Sequence, residues 1–127
     1  MKTELVTLKL AHLAALGETD GTRNVIRLSG PAFCVLAEDQ PVAAGGIARL
    51  AAHRGVAWVL LTDRAHSSAL LLRRIHRYVK TQFPLIRTAC GIYEIDAEAD
   101  ENNPQACAWL EYFGFKRKPL AIYSWSE

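Results

Sequence analysis

The apolar positions of the chain fall into runs whose period changes along its length. "AFCVLAE" and "PVAAGGIARL", from Ala32 to Leu50, are apolar stretches separated by "EDQ". They predict a hairpin of two strands with Glu38 to Gln40 as the turn. Gly45 and Gly46 inside the second strand predict a bulge or a close backbone approach there. "GVAWVLL", ending at Leu61, is nearly continuous in apolar residues and predicts a central strand covered on both faces. The period then lengthens. In "SSALLLRRIHRYVKTQFP", Leu71, Leu72, Ile75, Tyr78, Val79 and Phe83 recur at three- and four-residue spacing. This is an amphipathic helix, capped by Ser67 or Ser68 and stopped by Pro84. "LIRTACGIYEI" predicts the next strand, an acidic loop follows, and "FKRKPLAIYSW" offers one or two last strands.

Between that loop and the tail lies "ENNPQACAWLEYFGF", Glu101 to Phe115. Asn103 is a good N-cap, and Pro104 suits the first helical position, where its missing N–H costs nothing. Ala106, Leu110 and Phe113 share one face. Gly114 predicts a left-handed stop, with Phe115 folded back onto Leu110. The first thirty residues read less clearly. "LVTLKLAHLAAL" predicts a strand running into a short helix, "GETDG" a loop, and "RNVIRLSG" fits either element.

Strand, helix, strand, helix, strand in the second half implies a right-handed parallel crossover. With a hairpin before it, the sheet should be mixed: an α/β fold of about six strands flanked by helices. The chain has 127 residues, the length of one domain, and no Pro/Gly/Ser linker divides it, so a single domain spans 1–127. Half of the residues are apolar, enough for a core that needs neither disulfide nor metal.

Charge and cysteines narrow the chemistry. A net charge of +2 gives no footprint for nucleic acid. Arg73, Arg74, Arg77 and Lys80 make a basic helix face, but no aromatics interleave them, and the acidic loop balances them. The three cysteines, Cys34, Cys90 and Cys107, form no CxxC pair and sit among apolar neighbours, as buried free thiols do. In "EIDAEADEN" the carboxylates alternate as in a calcium loop, but Glu101 stands where glycine is needed and Cys107 where the final Glu is needed. No metal and no membrane span are expected, and the start, "MKTELVTLKL", reads as part of the domain. Free thiols fit a reducing compartment.

The spacing of Asn103, Ala106 and Gly114-Phe115 resembles a motif of the GNAT acyltransferases, which use acetyl-CoA. The family's Tyr in that motif, which often protonates the departing thiolate, falls on Leu110, and a leucine donates no proton. Tyr112 lies about 200° further round the helix and faces elsewhere. The family's glycine-rich pyrophosphate loop corresponds to "TDRAHS", where Thr62, Ala65 and Ser67 occupy the signature positions. Within the superfamily the chain is most similar to small GNAT-like proteins of tailed bacteriophages, through Trp58, the glycine-poor loop and the Asn…Trp-Leu…Gly-Phe run.

The resemblance implies a cleft where the central strand (Val56 to Thr62) splays from the next (Thr88 to Ile95). It implies that backbone groups of Leu60, Leu61 and Thr62 meet the pantetheine arm. The amides of Ala65, His66, Ser67 and Ser68 would hold the pyrophosphate, with Arg64 and His66 adding charge and Asn103 fixing the arm. Glu94, at the end of its strand, is the general base suggested by position. The acidic loop would draw a cationic amine. The degraded loop and Leu110 equally suit a second reading: a catalytically inactive fold kept as a structural or interaction protein of a phage virion or host-takeover system. In that case His66 or Arg64 should fill the cleft.

Overall fold

The computed structural model describes residues 1–98, 108, 110–112, 114–118 and 122–126. The elements run β1 (Thr3–Thr7), α1 (Leu10–Ala15), α2 (Gly21–Arg27), β2 (Ala32–Ala37), β3 (Gln40–Ala51) and β4 (Arg54–Leu61). They continue with α3 (Asp63–His66), α4 (Ala69–Cys90), β5 (Glu94–Glu98), β6 (Lys116–Lys118) and β7 (Ile122–Ser126). The strands form one sheet in the order β1-β2-β3-β4-β5-β7-β6. It has seven strands, one more than the pattern suggested, because the tail supplies two and the N-terminal strand adds an edge. Only β4 and β5 are parallel, so the sheet is mixed as expected.

The predicted hairpin is present, and its turn is tighter than expected. Glu38 (φ 51°) and Asp39 (φ 65°) alone make it, while Gln40 already pairs with Ala37. Positive φ at both central residues matches the right-handed twist of the flanking strands. The bulge lies at Val42, where the register slips between Val35–Ala43 and Leu36–Pro41. At Gly46 it is the close approach that holds: a Cβ there would sit 2.4 Å from the Pro31 carbonyl oxygen.

Two core layers cover the sheet. α1 brings Leu13 onto one face with Leu8, Ala32, Cys34 and Ala44. α4 brings Leu71 and Ile75 onto the other with Val35, Val42 and Ala43. A third cluster, Ile47, Ile92, Ile95, Ala97 and Phe115, packs under the end of α4, where Phe83, Ile86 and Cys90 contact it.

That cluster explains a correction. Pro84 does not stop the helix; α4 continues through it to Cys90 and ends at Gly91 (φ 64°). A proline in a helix interior costs about 3 kcal/mol. Beyond and beside it, Phe83, Ile86 and Cys90, each half-buried, pack against the Ile47, Ile92 and Ile95 cluster, and apolar surface buried this way contributes about 25 cal/mol per Å². Packing therefore outweighs the lost hydrogen bond, and Thr88 Oγ1 ties the following turn to the Pro84 carbonyl at 2.9 Å. Leu85 to Cys90, expected as strand, is consequently helix, and the strand begins only at Glu94. The Ser68 cap does form, its Oγ accepting from the Leu71 amide at 3.2 Å.

The C-terminal stop of the closing helix also forms. Residues 108 and 110–112 are helical, and Gly114 has φ 91°. The Phe115 amide bonds to the Leu110 carbonyl and the Gly114 amide to that of Glu111, both at 3.0 Å. This paired pattern, with Phe115 and Leu110 in one cluster, is the Schellman arrangement.

Candidate active site

The parallel pair β4–β5 is registered over three residues only: Arg54 with Glu94, Gly55 with Ile95, Val56 with Asp96. Past Val56 the strands part, and the rest of β4 is paired on its β3 side alone. The splay therefore exists, between Ala57–Leu61 and the end of β5, beyond the stretch from Thr88 where the sequence placed it. The Thr62 amide donates to the Val42 carbonyl at 3.1 Å. Because strand backbone groups alternate, Leu60 and Thr62 address β3 while Val59 and Leu61 turn theirs to the open edge. Leu61 thus turns its backbone groups to the opening. Leu60 and Thr62 do not, and Val59 takes the place the sequence gave them.

A cavity of about 240 Å³ opens at this edge, between β3, β4 and α4. Its floor is made of small residues, Ala43, Gly45 and Ala57, with Val59 beside them, and α4 roofs it with Ile75 and Val79. Val59 is 48% exposed although it lies on the middle strand. The expectation that β4 is covered on both faces fails here, because β5 no longer runs beside β4 past Val56. Ala97, Leu110 and Phe115 close the far side. No charged side chain lines the cavity among the described residues, and Tyr78 is the sole titratable one. Its hydroxyl lies 3.1 Å from Thr3 Oγ1. Periodicity marked Tyr78 as a core position, and only the packing shows that it borders a cleft.

The loop after β4 differs from the glycine-rich cradle. With no glycine in it, "TDRAHS" takes right-handed helical angles and closes into the single turn α3. That turn consumes the amides assigned to a pyrophosphate. Ala65 N–H donates to Thr62 Oγ1 at 3.3 Å and His66 N–H to the Thr62 carbonyl at 3.0 Å. Ser67 N–H donates to the Asp63 carbonyl at 3.0 Å and Ser68 N–H to that of Ala65 at 3.4 Å. The Ala65 side chain is fully buried in the core. The donors left without intrahelical acceptors include the first amides of α3, Asp63 and Arg64, and those of α4, Ala69 and Leu70. The Arg64 guanidinium reaches to Glu38 Oε1 at 2.9 Å, towards the hairpin turn. His66 is exposed. Neither side chain lines the cavity, so the cleft is not filled in the way an inactive fold was expected to show.

Glu94 is the first residue of β5, not the end of its strand. It is exposed at the closed end of the strand pair, beside Arg54, and does not line the cavity. A base acting in the splay would have to stand at the other end. Asn103 lies outside the described residues, as do Ala106, Cys107 and the middle of the acidic loop. Leu110 occupies the cavity wall, as its motif position implied. Tyr112 is turned away onto α4, its ring 5.1 Å from that of His76 and 5.9 Å from Lys80 Nζ. Burial pushes the Cys34 thiol up to about 11, which keeps it protonated and inert. Among the described residues no group of three or more His, Cys, Asp and Glu side chains could hold a metal ion. None of the described helices is long and apolar enough to cross a membrane.

No protein-family model matches the sequence, and no curated protein matches it. Solved structures do match by shape. An acetyltransferase from Streptococcus agalactiae superposes with a TM-score of 0.76 at 15% identity, over 98% of each chain. The GNAT domain of S. lividans PAT gives 0.69 at 8% identity, over 98% of this chain and 89% of its own. Spermidine N-acetyltransferase from Vibrio cholerae, solved with CoA and spermine, gives 0.61 at 13% identity, over 91% and 82%. Identities this low speak for architecture alone. With its mixed sheet, its single parallel pair and the splay beyond Val56, this chain has the fold of the GNAT acetyltransferases.

Proposed function

We propose that the protein is an N-acyltransferase that takes an acyl group from a CoA thioester, with acetyl-CoA as the reference donor, and passes it to an amine. One observation carries the reading: the open edge of β4, where Val59 and Leu61 present backbone groups at the mouth of an apolar cavity. An extended amide-bearing arm can add to such an edge as a further strand would. The residues present fit that arm well and fit the pyrophosphate only in part. The amides of Ala65 to Ser68 are spent, which leaves the first turn of α4, a helix of 22 residues, to face the anion. The thioester, when bound, supplies an activated acyl group. An amine that attacks it directly needs no nucleophile from the protein, in keeping with a lining that holds no Cys, Ser, Thr or Lys among the described residues. The chain's own part is to align the arm along Val59 and Leu61 and to exclude water from the apolar pocket.

Isothermal titration with CoA and acetyl-CoA tests this. Binding at micromolar to sub-millimolar cofactor is expected. No heat at millimolar cofactor would sink the proposal. An amine panel that includes spermine then seeks the acceptor.

A second reading rests on different observations. The self-satisfied α3 turn and Leu110 in the proton donor's position suit a GNAT fold retained as a structural or interaction protein, for instance of a phage virion. It predicts that CoA thioesters neither bind nor turn over.

A further inference from the structure

The cavity is out of proportion to an acetyl group. A dry apolar cavity of about 150 Å³ accepts benzene, six carbons. At about 240 Å³ this one has room for roughly eight to ten. Two carbons would cover little of its apolar lining, and apolar surface removed from water is stabilising. Water is a poor filler. Besides Tyr78, already engaged with Thr3, the described lining on the α4 side offers the Gln82 amide as a polar side chain, while the Trp58 indole packs on the opposite face of the sheet. A bound water needs two to four polar partners.

The shape adds direction. Gly45 stands opposite Val59 in register, and the Val59 side chain leans over it: a Cβ on Gly45 would lie 3.1 Å from Val59 Cγ2. Ala43 and Ala57 keep that floor low on either side, and Val79 on α4 faces it from above. Ala57 and Val59 belong both to the cavity and to the half of β4 that has lost its β5 partner. A thioester lying along that edge would send its acyl end under α4.

We infer that the acyl donor carries a medium-length saturated chain of about eight carbons, which the cavity under α4 holds. This rests on the acyltransferase reading above. Each buried methylene can raise affinity about fourfold. Ordering the chain offsets part of that, so octanoyl-CoA should bind at least about tenfold tighter than acetyl-CoA.

The experiment is calorimetric titration of the whole chain with CoA, acetyl-, butanoyl-, octanoyl- and decanoyl-CoA, and with octanoate alone. It is repeated on Val79→Phe, which fills the cavity, and Val79→Ala, which enlarges it, each checked for folding by circular dichroism. The expected result is affinity climbing to octanoyl-CoA in the wild type. V79F should collapse the octanoyl-to-acetyl ratio towards one, and V79A should shift the optimum towards decanoyl-CoA. If V79F fails to fold, V79A alone decides. Octanoyl-CoA binding no tighter than acetyl-CoA, or a ratio that ignores the substitutions, overturns the inference and leaves the acyltransferase reading standing. No binding of any thioester at millimolar concentration overturns both. Octanoate binding as tightly as octanoyl-CoA, with CoA contributing nothing, makes the cavity a lipid pocket and also overturns both.

Discussion

Arg54, Gly55 and Val56 of β4 are paired on both edges; Ala57 to Leu61 are paired on one. The first half is clasped from several sides. Arg54 meets Asp96 at 2.8 Å, the His53 ring stacks on Tyr93 at 4.7 Å, and Arg49 binds the Cys90 carbonyl at the end of α4 at 3.0 Å. Beneath them Ile95, fully buried, packs with Ile47 and Ile92. The second half has Ala57, a glycine across from Val59, and the cavity. A sheet edge exposed in mid-molecule is a hazard for unwanted strand pairing. Here that opening is bordered by small residues on one side and by a well-packed anchor on the other. The contrast separates the part of the strand pair that holds the fold from the part left open to a ligand.

Substitutions at three places test the contrast between the two halves. The largest effect should come from truncating both halves alike. Ile95→Ala empties a fully packed site and should cost about 3 kcal/mol. Val59→Ala removes a half-exposed side chain and should stay within about 0.5 kcal/mol. Urea denaturation of both variants measures the difference, and equal costs would erase the distinction.

Next is Pro84, which stands in the part of α4 that spans the two halves. Pro84→Ala restores a donor to the helix and should raise stability by about 1–2 kcal/mol, with the gain partly offset by a more flexible unfolded chain. A loss of stability would mean that the helix depends on its proline. The smallest effect is expected at Arg54→Ala. The pair with Asp96 is short, and Asp96 holds the guanidinium further above its ordinary value, but the arginine is solvent-exposed. An unchanged urea midpoint would show that the closed end is held by packing. A clear drop would shift that role to the ion pair.

Much of this architecture is legible in the chain. The apolar runs of β2, β3 and β4 mark a sheet, and the stripe from Leu71 to Phe83 marks α4. Gly114 and Phe115 mark a helix stop that forms as read. Misreadings cluster where a local rule met a stronger tertiary term. Pro84 signals a helix end, but the side chains around it find a core under α4, so the helix continues. "TDRAHS" holds small residues at the positions of a phosphate cradle, but without glycine the backbone takes a helical turn and satisfies itself. Glu94 reads as a strand-end base only if the strand starts early; the longer helix delays the strand and leaves Glu94 at its beginning.

The sequence alone carries the class of fold, because periods of two and 3.6 residues and the capping residues act over short range. It also determined the chemistry withheld from the pocket wall, since Leu110 can donate no proton wherever it stands. It took the folded arrangement to part β4 from β5 beyond Val56, to turn Val59 and Leu61 and not their neighbours to the opening, and to bring the small residues Ala43, Gly45 and Ala57 under α4. Those outcomes depend on register and on the packing of elements far apart in the chain, where one residue's shift turns every side chain to the other face.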